Sequence, residues 1–195
     1  MTDATKGPFS EFTVNNAYPK TKDDPSLRGK LVVIVDGQPV AATWAAFGPY
    51  APSEEGSRPY YRVRITPNDP ELAAKQTSIK FGRMPMPDIA NANAGLKLDT
   101  VGEGVLFATT DAEKADAEQR GVKVRSFFGG ALVLTPQGPR AVDLSARHIK
   151  GEKDGKSYDF HSGWASLHDP QAAAEARAGR PAGQQPGADR KATIG

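Results

Sequence analysis

GKLVVIVDGQPVAATW, running from Gly29 to Trp44, is the stretch whose reading decides the fold. Leu31–Val35 holds four β-branched residues in five, a composition that suits a pleated strand. Asp36-Gly37 follows at once, a dipeptide that tolerates positive φ and closes a tight hairpin. Val40–Phe47 returns as the partner strand and carries Trp44. A looser version stands about a hundred residues later as GALVLTPQGPRAVDLS, Gly130 to Ser145. Gly29 pairs with Gly130 in that alignment, Leu31 with Leu132, Val32 with Val133, Gly37 with Gly138 and Val40 with Ala141, and Ser145 falls where Trp44 stands. Each copy leads into a Gly-containing turn and a Tyr-rich strand, SEEGSRPYYRVRI (Ser53–Ile65) and GEKDGKSYDFHSGW (Gly151–Trp164). The expected fold is β-rich: two related antiparallel meanders, units 29–65 and 130–164, packed as a sandwich or a partly open barrel with two or three short helices.

Around these units, 195 residues with 20 glycines and 16 prolines fit one turn-rich domain of moderate size or two small ones packed together. Residues 1–28 read as a polar N-terminal arm and 29–170 as the body, with 171–195 a short helix followed by a disordered tail poor in large apolar residues. No apolar run approaches the length of a membrane span, and MTDATKGPFSEF lacks the basic start and apolar stretch of a secretory signal. The absence of cysteine removes disulfides, zinc-thiolate sites and thiol catalysis, and a cytoplasmic location is expected. The net charge of +2 comes from the tail: of 25 bases and 23 acids, four and two lie from Gln171 onward, leaving 21 of each in the body. A neutral body argues against a broad, sequence-independent duplex binder.

The remaining elements follow from local signals. Asp69-Pro70-Glu71 starts a short helix, which must stop before a strand at Thr77–Phe81. Gly104–Thr109 is a strand, and Thr110-Asp111-Ala112-Glu113 makes a capping box for a helix that Gly121 ends. Lys123–Phe128 and Ala131–Thr135 read as two strands parted by Gly129-Gly130, followed by strands at Arg140–Ile149 and Lys156–Trp164. A last helix begins at Asp169-Pro170. Along Tyr60–Ile65, Tyr61, Val63 and Ile65 alternate with Tyr60, Arg62 and Arg64, giving one buried and one wet face.

Lys20, Lys22, Pro25, Gly29, an apolar strand, Asp36-Gly37, Trp44, Gly56 and Tyr61 together form a pattern over roughly Lys20–Pro67. It resembles small uncharacterised β-rich proteins often carried on bacterial plasmids and phages. The chain differs from them by inserting FGPYAP after Trp44. The resemblance implies a mobile-element context and a non-catalytic role, with no known active site.

Candidate chemistry is sparse. Asp159 and His161 fall on one strand face, and with His148 or His168 they would make a two-His, one-carboxylate metal set; scattered surface histidines account for the same pattern. Ser162 in HSGW is not a nucleophile elbow, and Gly102-Glu103-Gly104 lacks the third glycine and the helix of a phosphate loop. No enzyme, cofactor or metal is expected, with a metal-dependent enzyme around His148, Asp159 and His161 ranked third among the readings. The pattern with a physical point is basic and aromatic: Tyr60, Arg62 and Arg64 share a strand face, Lys80 and Arg83 lie downstream, and Lys123 and Arg125 adjoin Phe127-Phe128. Tyr60 would stack on a base while the cations meet phosphates. The expected function is a non-catalytic binding module with single-stranded nucleic acid as the leading ligand. The alternative is a structural or protein-interaction accessory subunit of a virion or mobile element, engaging a protein partner.

Overall fold

The computed structural model describes residues 10–51, 58–78 and 101–169. In chain order the elements are β1 (Glu11–Asn16), β2 (Leu27–Val35), β3 (Gln38–Tyr50), β4 (Tyr60–Pro67), α1 (Pro70–Ser78), β5 (Glu103–Ala108), α2 (Asp111–Gln119), β6 (Phe127–Thr135), β7 (Gly138–Lys153) and β8 (Lys156–Leu167). Each strand pairs antiparallel with the next, and β8 returns to β1 with Phe12 opposite Gly163 and Val14 opposite His161. The architecture is therefore a closed eight-stranded barrel, not a sandwich or an open one. The closing strand lies inside the stretch expected to be an arm. EFTVNN offers only Phe12 and Val14 as inward residues, too short an alternation to stand out, yet both are buried and the strand removes both sheet edges.

Each strand turns apolar residues inward, and β5 and β6 bury apolar residues on their outer face as well. Phe12, Leu31, Val33, Trp44, Val63, Ile65, Leu106, Val133 and Leu144 belong to one buried cluster that fills the barrel, with the Phe12 and Trp44 rings stacked at 4.9 Å. An eight-stranded barrel is just wide enough for its side chains to fill it, so the interior is a core rather than a container. The packed apolar interior contrasts with the polar lumen of a transmembrane barrel. Among the described residues, no helix is long and apolar enough to cross a membrane.

The pairings within β1–β4 and within β5–β8 can be compared register by register. Leu27 faces Ala46 as Phe127 faces Ala146, and Trp44 faces Ile65 as Leu144 faces Ala165. Phe12 faces Leu31 as Gly104 faces Ala131, and Phe12 faces Gly163 as Gly104 faces Val63. The numbering offset is 100 for β2–β4 and 92 for β1 (Phe12 to Gly104). Two flanking backbone bonds follow the same offset: Ser26 and Ser126 donate to Ala46 and Ala146, and Asn68 and His168 donate to Ala41 and Ala141. The alignment of Gly29 with Gly130 is thus one residue out; Gly29 corresponds to Gly129. A one-residue slip reverses faces, and it matched inward Leu31 with Leu132, whose side chain is outside the interior cluster. The residue in the place of Trp44 is buried Leu144, not Ser145.

Close approach explains those glycines. A Cβ on Gly29 would stand 1.8 Å from the Thr13 carbonyl oxygen, and one on Gly129 would stand 2.0 Å from that of Val105. Gly129-Gly130 therefore lies within the single strand β6 instead of parting two, and Lys123–Arg125 precede it outside any strand. The hairpin at Asp36-Gly37 forms as expected, with φ of 50° and 77°. Asp69 caps α1 by accepting from the Glu71 and Leu72 amides, and Thr110 with Glu113 forms the capping box of α2. Thr77 and Ser78 end α1 instead of opening a strand. Leu72 of α1 packs with Val101 and Leu134 on the outside of β6. The final helix and tail, and most of the Thr77–Phe81 stretch, lie outside the described residues.

Candidate nucleic-acid-binding surface

The alternation of β4 holds: Val63 and Ile65 are buried, while Arg62 and Arg64 are exposed on the outer wall. Arg62 lies between Phe47 of β3 and Val105 of β5, and Arg64 between Ala45 and Glu103. The Arg64 guanidinium carbon sits 5.4 Å from the Phe47 ring centre. A groove of about 310 Å³ runs here, with Arg62, Arg64, Phe47, Tyr50 and Glu103 along the sheet. Lys22 and Asp23 reach it from the β1–β2 connection. That turn is pinned by the Asp24 carboxylate, which accepts from the amides of Thr21 at 2.9 Å and Lys20 at 3.0 Å. The Thr21 amide, then that of Lys20, holds the Asp24 pKa below the usual carboxylate range.

Among the described residues, no carboxylate pairs with Arg62, Arg64 or Lys22, although Glu103 and Asp23 stand nearby. The cations flank a groove with aromatic sides, and their charge remains available to an anion. Tyr60 sits beside it: half-buried, with its ring 5.7 Å from the exposed Tyr50 and packed on an outer cluster of Val105, Phe107 and Phe128. The exposed ring for stacking is therefore Tyr50 more than Tyr60.

Arg125 serves that outer cluster, its guanidinium carbon 4.1 Å from the Phe128 ring centre. Arg58 lies 5.0 Å from the same centre and grips Glu113 through two hydrogen bonds of 2.7 and 3.2 Å. Burial pushes the Glu113 pKa up, and the bonds from Arg58 and the Thr110 amide outweigh it, leaving the carboxyl below its ordinary value. Lys123 is exposed on the segment after α2 and lines no part of the groove. Of the seven residues expected at the site, the structure brings together Tyr60, Arg62 and Arg64; Arg125 joins them through the Phe128 cluster; Lys80 and Arg83 lie outside the described residues. Lys22, Phe47 and Tyr50 were not expected, because the turn and bulge that deliver them leave no periodic signal.

The histidines divide. His148 Nε2 shares a 2.5 Å hydrogen bond with Asp159 Oδ1, and its ring stacks on His161 at 4.7 Å. His168 is occupied elsewhere, with Nδ1 3.1 Å from both carboxylate oxygens of Asp143. Among the described residues, no three His, Asp or Glu side chains are grouped to hold a metal ion. His148 lowers the Asp159 pKa by its hydrogen bond, and Lys150 adds to it.

The exposed aromatics cluster on the opposite hairpin. Tyr158, Phe160 and Trp164 project from β8, a strand read in sequence as Tyr-rich but not singled out as a binding face. Their spacing in SYDFHSGW was the available signal. Comparison with family models, with curated proteins and with solved structures finds no match.

Proposed function

We propose that this chain is a non-catalytic binding module whose ligand is single-stranded nucleic acid, held along the outer face of β3 and β4. The observation that carries the reading is the pair Arg62 and Arg64, exposed two residues apart on one strand, without carboxylate partners among the described residues, beside Phe47 and Tyr50. Guanidinium groups meet phosphates in a fork geometry, and aromatic rings accept any base. The filled interior supports binding outside the barrel, as on other small barrels that use a sheet face. The neutral body favours a local track over a broad duplex-binding face.

Anisotropy of a labelled single-stranded oligonucleotide tests the site. Arg62→Ala/Arg64→Ala is expected to weaken binding by about tenfold or more and to reduce the slope of log K on log salt by about 1.4, the share of two phosphate contacts on a single strand. Unchanged affinity in that variant would remove the site, and no binding by the parent protein at micromolar concentration would remove the function.

A further inference from the structure

Beyond Ala146 on β7 and before His161 on β8, the two strands pair only with each other, as far as Lys153 opposite Lys156. This two-stranded ribbon extends past the barrel wall. Its outer side follows from the alternation that buries Leu144, Ala146 and Ala165 inside. Outward on β7 come Arg147, Ile149, Gly151 and Lys153; outward on β8 come Lys156, Tyr158, Phe160, Ser162 and Trp164. Ile149, Tyr158, Phe160 and Trp164 are 37 to 41 % exposed, unusual for side chains of this size.

Within the ribbon no acidic residue stands on this side; at its base, level with Trp164, the same outer face carries Glu11 of β1 and Asp143 of β7, the latter paired with His168. Glu152 and Asp159 belong to the opposite side, where Asp159 is engaged by His148 and Lys150, and Asp154 is in the turn. Among the described residues, Arg147, Lys153 and Lys156 have no carboxylate partner, and Arg147 Nε is buried without any hydrogen-bond acceptor. The Arg147 guanidinium carbon lies 5.2 Å from the Trp164 ring centre. Cations without anions, set among open aromatic rings, complement a polyanion that carries flat bases.

The barrel register strengthens this. At an offset of 100, Phe160 and Trp164 occupy the places of Tyr60 and Arg64, and Arg147 the place of Phe47. The cation-over-ring contact of Arg64 and Phe47 reappears as Arg147 and Trp164 with its members exchanged. β4 and β8 are four strands apart whichever way the ring is followed.

We propose that the outer side of the β7–β8 ribbon is a second site for single-stranded nucleic acid, across the barrel from the first, so that one molecule holds two strands. This rests on the nucleic-acid reading of the β3–β4 face. The Tyr158 and Phe160 rings pack on each other, centroids 5.8 Å apart and tilted by 48°, and together offer an aromatic platform on which a base stacks. Arg147, Lys153 and Lys156 meet the phosphates.

The test uses the full chain with two short single-stranded oligonucleotides, one carrying a donor dye and the other an acceptor, and native mass spectrometry for the ratio of strands to protein. The parent protein is expected to bind two strands per chain and to give energy transfer between them. Tyr158→Ala/Phe160→Ala/Trp164→Ala is expected to lower the ratio to one and abolish transfer, while binding at the Arg62–Arg64 face persists. Arg147→Gln/Lys153→Gln/Lys156→Gln, which keeps every ring, is expected to do the same and guards against a folding defect in the first variant. One strand per chain, lost only on changing Arg62 and Arg64, would overturn the second site and leave the first standing. Absence of any binding would overturn the functional reading itself. Self-association lost in the aromatic variant, with one strand bound per chain, would assign the ribbon to protein contact and overturn the inference.

Discussion

The β3–β4 and β7–β8 hairpins share a register at their base and differ at their ends. β3 breaks step with β4 between Phe47 and Tyr50, and its aromatics fold down beside Arg62 and Arg64 as walls of a groove. β7 and β8 stay in step to Lys153 and Lys156, and their rings stand out from a ribbon. One backbone plan thus presents arginines with aromatic support on one side and aromatics with basic support on the other.

The interior diverges by complement. Phe12, Leu31, Val63 and Ile65 correspond to Gly104, Ala131, Gly163 and Ala165. At these four positions the first half supplies bulk where the second is small, while Leu27 and Ala42 are matched by the larger Phe127 and Val142. Positions constrained by the backbone do not diverge, and they offer the largest test of the correspondence. Gly29→Ala and Gly129→Ala each drive a methyl into a carbonyl oxygen that cannot move without breaking a ladder. Each is expected to cost about 3 kcal/mol or more in denaturant unfolding, and the two costs should agree within about 1 kcal/mol. Tolerance of one and not the other would break the equivalence of the halves.

A smaller effect sharpens the same comparison. Tyr61 and His161 hold corresponding places, and both rings contact Phe127 edge-on. Burial lowers the His161 pKa; the charge of His148 adds to this, Asp159 opposes it, and Lys114 adds a little. The folded chain therefore prefers neutral His161. Its contribution is complete above the ordinary histidine range, near about 6.5, and is lost as pH falls below it because the unfolded chain takes up the proton first. Urea midpoints should fall from pH 7 to pH 5 in the parent protein and fall less in His161→Tyr, which places the residue of the first half in the second. Equal slopes would show that His161 is not the group responsible.

Much of the fold was legible because hairpins are local. LVVIV with Asp36-Gly37, the capping box at Thr110 and the alternation of Tyr60–Ile65 each specify structure within a few residues. Closure was not legible, since it depends on Phe12 and Val14 meeting a strand 150 residues away. The like register of Leu31 and Ala131 was not legible either, because the two side chains differ in bulk and the match of Leu31 with Leu132 looked better in sequence. Arg62 and Arg64 were readable as an outward pair. Lys22 and Tyr50 join them only through a turn and a bulge, and the openness of Phe160 and Trp164 depends on the ribbon leaving the barrel. A strand with apolar residues on its outer side reads in sequence as one packed on both faces.

The most direct measurement is anisotropy of the full chain against one labelled oligonucleotide, presented as a single strand and as a duplex, at 50 and 200 mM salt. Tighter binding of the single strand at both concentrations and weaker binding at the higher one are expected, because stacking needs open bases and the arginines act on phosphates. Equal or tighter binding of the duplex, or affinity indifferent to salt, would contradict it.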